Sequence, residues 1–380
     1  MNFTVKNLCA ALVAAAAFLA SAEGTDDHGT VNAARKYNNA PSLIAVLCQG
    51  FVDDADEKSV ADFGLGILNG ADGLFGCAPD DYSEEPPPNP MYPEPMEKDA
   101  LYFGGTDWGR FIPETLVLND GVRPDVSVIT QNGLADGEYL ASVRERFGGK
   151  YPVSVSKVDI PTDRESHDAF REFVEGVQSG KIDARNALEF KDGMVVVTGS
   201  LAVMKLNEIL AKKIFDKNKG KCAMYVEQSY PLEWMYDYMT PHGFVMKLNA
   251  EKPDMVSDAD VRENAEFWDW MTKQLLSNPQ FARRRAESWR KGADGKPDPD
   301  HRMGVRAFSK LRLSHAQLYN HVKNRSAFAT AIRQSRAIDP QSWESGCYYS
   351  AFLEANGLGD ARDDYRSYLE KLGARTDMWR

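Results

Sequence analysis

Asp107 and Arg110 carry opposite charges three positions apart in YFGGTDWGRF (102–111), directly behind Gly104, Gly105 and Thr106. Paired glycines let a backbone approach a ligand closely, a guanidinium fork grips carboxylate or phosphate, and a carboxylate can relay protons. Neither GxxxxGK[ST] nor GxGxxG occurs, so no nucleotide-phosphate fingerprint is met. Asp107 stands where a phosphate would have to sit and repels it unless Arg110 or a metal intervenes. Thr106 or Asp107 can equally cap a following helix by accepting its first N–H groups.

Further candidates follow other apolar runs. Gln131 and Asn132 come directly after DVSVIT (125–130), with Asp136 and Glu138 a few residues on. Ser200 lies in TGSLAV (198–203), which lacks the G-x-S-x-G of a nucleophile elbow, so capping a helix suits it better than attacking a substrate. Glu227 and Tyr230 open the aromatic stretch EQSYPLEWMYDYM (227–239), which could wall a pocket for sugar rings or pack a core. His242 sits in a Pro/Gly turn, where a lone histidine is more often structural than catalytic. No CxxC and no Cys/His cluster occurs, so neither a metal site nor a cofactor is expected.

The elements that must position these residues begin after Lys98. Short β-rich runs at 100–103, 125–130, 151–158, 194–199, 223–228 and 244–249 alternate with amphipathic helical patterns. Near-continuous apolar strands between helices predict a parallel sheet covered on both faces. The expected fold is therefore α/β: a Rossmann-like, three-layer, mostly parallel sheet over residues 98–257. Ligands of such sheets bind outside the carboxyl ends of the strands, which gathers Gly104, Gly105, Thr106, Asp107, Arg110, Gln131, Asn132, Ser200, Glu227 and Tyr230 as ligand-binding candidates.

From Asp258 to residue 380 the pattern is all helical. In VRENAEFWDWMTKQLLS (261–277) the tryptophans recur at helical spacing and are read as core. Further on, Leu318 and Tyr319 recur 34 residues later as Phe352 and Leu353, and Ala327 as Ala361. That period and its helix–turn–helix texture are TPR-like, with either a peptide-binding surface or a structural helical cap as the outcome.

The chain has 380 residues, a net charge of −11 and 27% charged residues. An acidic balance argues against nucleic-acid binding, which needs a basic stripe. MNFTVKNLCAALVAAAAFLASAEG has the basic, apolar and small-residue order of a secretory signal peptide, residues 1–22, with cleavage expected after Ala22. Its apolar run is too short to span a bilayer comfortably, and no spanning segment is expected after cleavage. The mature chain is then periplasmic or secreted. Residues 23–97 form an acidic segment, fifteen acidic residues against three basic, that ends in SEEPPPNPMYPEP (83–95). Stacked prolines there make either a linker or an arm draped over the next domain. Of the mature cysteines, Cys48–Cys77 is the pairing that would close a local loop, while Cys222 and Cys347 can bridge or stay thiols.

YFGGTDWGRFIPETLV, RPDVSVITQNGLADGEYL, EQSYPLEWMYDYMTPHGFVMKLN, FWDWMTKQLLSNPQF and KLRLSHAQLY, in that order across about residues 98–370, resemble an uncharacterised bacterial family. In it this unit follows a multi-pass glycosyltransferase-C membrane module of the protein O-mannosyltransferase type, and that module is missing here. The resemblance implies the α/β plus TPR-like architecture and a glycosylation-related setting. Because the membrane part of such transferases holds the catalytic carboxylates and lipid-linked donor, the leading expectation is a non-catalytic, exported binding or accessory module recognising a glycan, peptide or envelope protein. The alternatives are a glycan-active transferase or hydrolase with Asp107 and Glu227 as acid and base, which requires them within ~5–10 Å, and a structural TPR-bearing scaffold.

Overall fold

The computed structural model describes residues 63–70, 87–104, 112–114, 116–117, 121–147, 158–182, 188–191, 194–197, 199–227, 232–286, 303–359 and 362. The signal peptide, the Cys48–Cys77 pairing and the apolar stretch at 42–52 lie outside these residues. Five strands form one sheet in the order β2-β1-β5-β7-β6: β1 is Leu101–Gly104, β2 Ser127–Thr130, β5 Met224–Val226, β6 Met239–His242 and β7 Val245–Leu248. β1 pairs in parallel with β2 on one side and β5 on the other, while β5–β7 and β7–β6 are antiparallel.

Helices cover both faces, because a parallel strand has no solvent side. Leu101, Phe103, Ile129 and Val226 point into a core built with α1 (Gly137–Glu145), α2 (Asp163–Gln178) and α3 (Ser200–Asn218). Tyr102, Val128 and Tyr225 point the other way, into a core with the helix at 63–70 and with α4 (Asp258–Ser277). The rest of the helical region is α5 (Pro279–Ala286), α6 (Met303–His321), α7 (Arg325–Ile338) and α8 (Trp343–Ala355). α6 serves both cores, with Phe308 and Leu311 in one and Leu313 and Leu318 in the other. Side chains from both sides of residue 257 thus interdigitate in each core. Local sequence sets the helix starts: Thr162 with Glu165, and Ser257 with Asp260, form reciprocal capping boxes ahead of α2 and α4.

The structure corrects two strand expectations, and a third lies almost wholly outside the described residues. The run at 194–199 is not a strand of the main sheet: β4 (Met194–Val197) pairs antiparallel with β3 (Leu188–Lys191) in a separate two-stranded hairpin. Asp192-Gly193 separates the two strands, and Asp-Gly is the strongest short hairpin signal. The run at 244–249 is a strand but lies antiparallel, because only Gly243 and Phe244 separate β6 from β7 and Gly243 takes φ +60°. A two-residue connection can only return the chain. Of the run at 151–158 only Val158 is described, and it is buried outside any strand.

The proline-rich segment is an arm that packs on the fold. Tyr92 reaches the β6–β7 turn, where its hydroxyl accepts from Gly243 N at 3.0 Å and from Asn264 Nδ2 at 2.9 Å. Trp268 Nε1 donates to the carbonyl of the same glycine at 3.0 Å. A Cβ on Gly243 would fall 2.3 Å from Pro93 Cγ, so the arm and the turn fit only around a glycine. Trp268 is fully buried among Phe244, Phe267 and His315, as expected for a core tryptophan. Cys222 and Cys347 are half-buried and do not bridge each other.

Two consequences are measurable. Tyr92→Phe strips two buried donors of their acceptor and should lower unfolding free energy by about 1–3 kcal/mol in a urea titration. His242 packs on Tyr225 with ring centroids 4.9 Å apart, and burial lowers its pKa to about 4. An unfolded imidazole titrates near ~6.5, so between the two values the unfolded chain takes up a proton the folded protein refuses. Stability contributed by the neutral ring is complete above about pH 6.5 and drains away as pH falls toward 4. Fully buried His315 is shifted the same way. Urea midpoints should therefore fall from pH 7 to 4.5, with His242 alone accounting for roughly 2–3 kcal/mol, and His242→Gln should flatten the slope by that share.

Candidate functional site

The chain leaves β1 toward β2 on one side, whereas beyond β5 it passes to the β6–β7 hairpin on the other. Connections that diverge in this way mark the carboxyl ends of β1 and β5 as the place where open α/β sheets usually hold a ligand. Register fixes what lies there. Gly104 is level with Thr130, and Phe103 with Val226. Glu227 N donates to Phe103 O at 2.9 Å, extending the β1–β5 ladder one residue beyond the strand.

Strand alternation then places Thr130, Gly104 and Glu227 in one row on the face that carries Tyr102, Val128 and Tyr225. The row consists of a hydroxyl, a residue without a side chain and a carboxylate. Gly104 is the residue between: with strands spaced ~4.8 Å apart, the two flanking residues stand about 10 Å apart across it. Gln131 closes the row from β2 by donating from Nε2 to the Glu227 carbonyl at 3.2 Å, across the end of the intervening β1.

Every member is interior. Gln131 is 0% exposed, Thr130 2% and Glu227 4%. The Glu227 charge contributes to a Tyr102 phenol pKa raised well above its ordinary value, although burial of that phenol is the larger cause. Thr130 Oγ1, Gln131 Oε1 and Asn132 Nδ2 are buried with no hydrogen-bond partner among the described residues. Each such atom costs about 1–3 kcal/mol if left dry.

The exit of β2 is rigidly held. Tyr139 Oη accepts from Thr130 N at 2.7 Å. Asn207, buried on α3, donates from Nδ2 to Asn132 O at 3.0 Å and accepts from Ala135 N at 2.6 Å. Asp136 caps α1 through the N–H groups of Glu138 and Tyr139. Asp136 and Glu138 therefore serve the helix start and not the row. Asn207 and Tyr139 carry no motif, and sequence reasoning missed them; only the register of α1 and α3 against the strand ends brings them to the turn.

Of the sequence-derived candidates, the structure brings Gly104, Gln131, Asn132 and Glu227 together. Ser200 does not join them through a main-sheet strand, because it follows the separate β3–β4 hairpin. Nor is it the cap of its helix: α3 begins at Ser200 with Gly199 at the cap position, φ 88°. Gly105, Thr106, Asp107, Arg110 and Tyr230 lie outside the described residues, so the proposed acid/base pair is represented by Glu227 alone. Among the described residues no helix is long and apolar enough to cross a membrane.

No protein-family model, curated protein or solved structure matches this chain.

If Thr130 Oγ1 is an orphaned hydroxyl, an isosteric methyl relieves its cost. Thr130→Val should leave the protein at least as stable in the absence of ligand, with a gain of about 1 kcal/mol or more in denaturant titration.

Proposed function

We propose that the protein is an exported, non-catalytic binding module of the cell envelope that holds a hydroxyl-rich ligand of the glycan class at the ends of β1, β2 and β5. One observation carries this reading: three polar atoms buried without a partner among the described residues, beside a buried carboxylate, where Gly104 puts no side chain between them. Thr130 offers a hydroxyl, Gln131 an amide carbonyl, Asn132 an amide N–H pair and Glu227 an acceptor. Sugar hydroxyls donate and accept at once, so a polyol matches a mixed set of this kind better than an anion does. Repulsion by Glu227 weighs against phosphate.

The finer architectural expectations belong to the same reading. The α/β part is Rossmann-like in having its crevice at diverging strand connections, although only three of its five strands run in parallel. The helical region is a TPR-like cap: Leu318 and Tyr319 on α6, and Leu353 on α8, are buried at the 34-residue offset seen in the sequence. The resemblance to a family built behind a glycosyltransferase-C membrane module supports a glycan over a peptide.

Thermal unfolding of the purified chain against neutral oligosaccharides, nucleotide sugars, polyprenyl phosphates and peptides tests the proposal. A neutral glycan should raise the midpoint saturably, by about 2.7 kcal/mol of stabilisation at 100 times its dissociation constant. Thr130→Val and Glu227→Gln should each lose most of that response. Stabilisation by peptides alone, or by no ligand class, overturns the reading.

A further inference from the structure

A cavity of about 230 Å³ lies in the helical region, between α4, α6 and the start of α7. Sites for drug-sized ligands run to ~300–1,000 Å³, so this one has room only for a smaller molecule. Arg312 and Tyr319 line it from α6, but both are committed to the fold. Arg312 is fully buried and donates from Nε to Gln334 Oε1 at 2.7 Å and from Nη1 to Asn264 Oδ1 at 2.6 Å, with Tyr319 bonded to it as well. The groups open to a ligand lie around this floor.

Asp258, Val261, Arg262 and Ala265 line the cavity from a single face of α4, as residues three and four apart on a helix must. Asp258 and Arg262 are exposed and stand four positions apart, the spacing at which opposite charges on a helix attract each other. Neither makes an ion pair or a hydrogen bond among the described residues, so both charges stay available at the rim. Asn324, Ser326 and the buried Ala327 line the cavity from the start of α7. Asn324 accepts from Ala327 N through Oδ1 at 3.0 Å, which leaves its Nδ2 donors unused.

We propose that this cavity binds a free α-amino acid with an aliphatic side chain. Its ammonium pairs with Asp258, its carboxylate takes Arg262 and the Asn324 amide, and its side chain lies against Val261, Ala265 and Ala327. A zwitterion is the small ligand that answers both rim charges at once. A simple carboxylate meets repulsion from Asp258, and a simple amine meets it from Arg262 above the buried charge of Arg312. The site is separate from the residues at the ends of β1, β2 and β5 and does not depend on their role.

Calorimetric titration of the full chain with L-leucine, leucinamide, isocaproate and glycine at matched ionic strength provides the test. Leucinamide lacks the carboxylate, isocaproate the ammonium and glycine the side chain. Leucine should bind saturably and at least threefold tighter than each of the three, the scale expected of exposed charge pairs. Asp258→Asn and Arg262→Gln remove exposed groups without partners, so both variants should fold. Each should weaken leucine at least threefold, while Arg262→Gln leaves leucinamide unweakened and Asp258→Asn leaves isocaproate unweakened. Glu227→Gln, at the strand ends, should leave leucine binding unchanged. No saturable binding of leucine, equal binding of leucine and either single-charge analogue, or undiminished binding in both rim variants overturns the proposal.

Discussion

Strand β1 is buried at all four positions, and its side chains divide between two cores, Leu101 and Phe103 into one and Tyr102 into the other. A strand of that length contributes little backbone pairing of its own. It holds its place because helices on both sides need its side chains, each fully buried apolar residue contributing ~1.5–3 kcal/mol. The crevice follows from this constraint. Once β1 is fixed between β2 and β5 in parallel, three strand ends must meet on one edge, and the residues that leave them have nowhere else to go.

The same economy governs polar groups. Much of the buried polarity is satisfied within the fold: Asn207 bonds on both sides of its amide, and the Gly243 turn is bonded through N–H and carbonyl alike. Thr130, Gln131 and Asn132 each bury an atom without a partner among the described residues, as Trp234, His242, Thr272 and His315 do elsewhere, but only at the end of β2 do three such atoms fall on consecutive residues. Buried polar groups are nearly always paired, so three bare atoms in a row carry a cost that a bound ligand would relieve.

Much of the sheet was legible in the sequence because apolar runs such as LYF and MYV report burial on both faces. Direction was less legible. Apolar content is the same whether FVMKLN runs with or against its neighbour, and only the length of the connection decides; the short Gly243-Phe244 link and the Asp192-Gly193 pair were the signals. Gln131, Asn132 and Glu227 were recognisable from the rule that residues just past strand ends face the crevice. Ser200 answers to the same rule, but its strand belongs to another sheet. The burial of Arg312 on α6 was not legible, since in LRLSHAQLY an arginine reads as solvent-facing until the folded helices show what encloses it.

The Tyr92 hydroxyl bridges to partners 151 and 172 residues further along the chain. On a ribosome that distance is time. At synthesis rates of about 5–20 residues per second, the tyrosine waits roughly 10–30 s before Asn264 exists. Residues that pack around the proline arm remain open to solvent for that interval, so the nascent chain stays unfinished until its helical half has emerged. A chain made in this order is available to a holding chaperone for most of its synthesis.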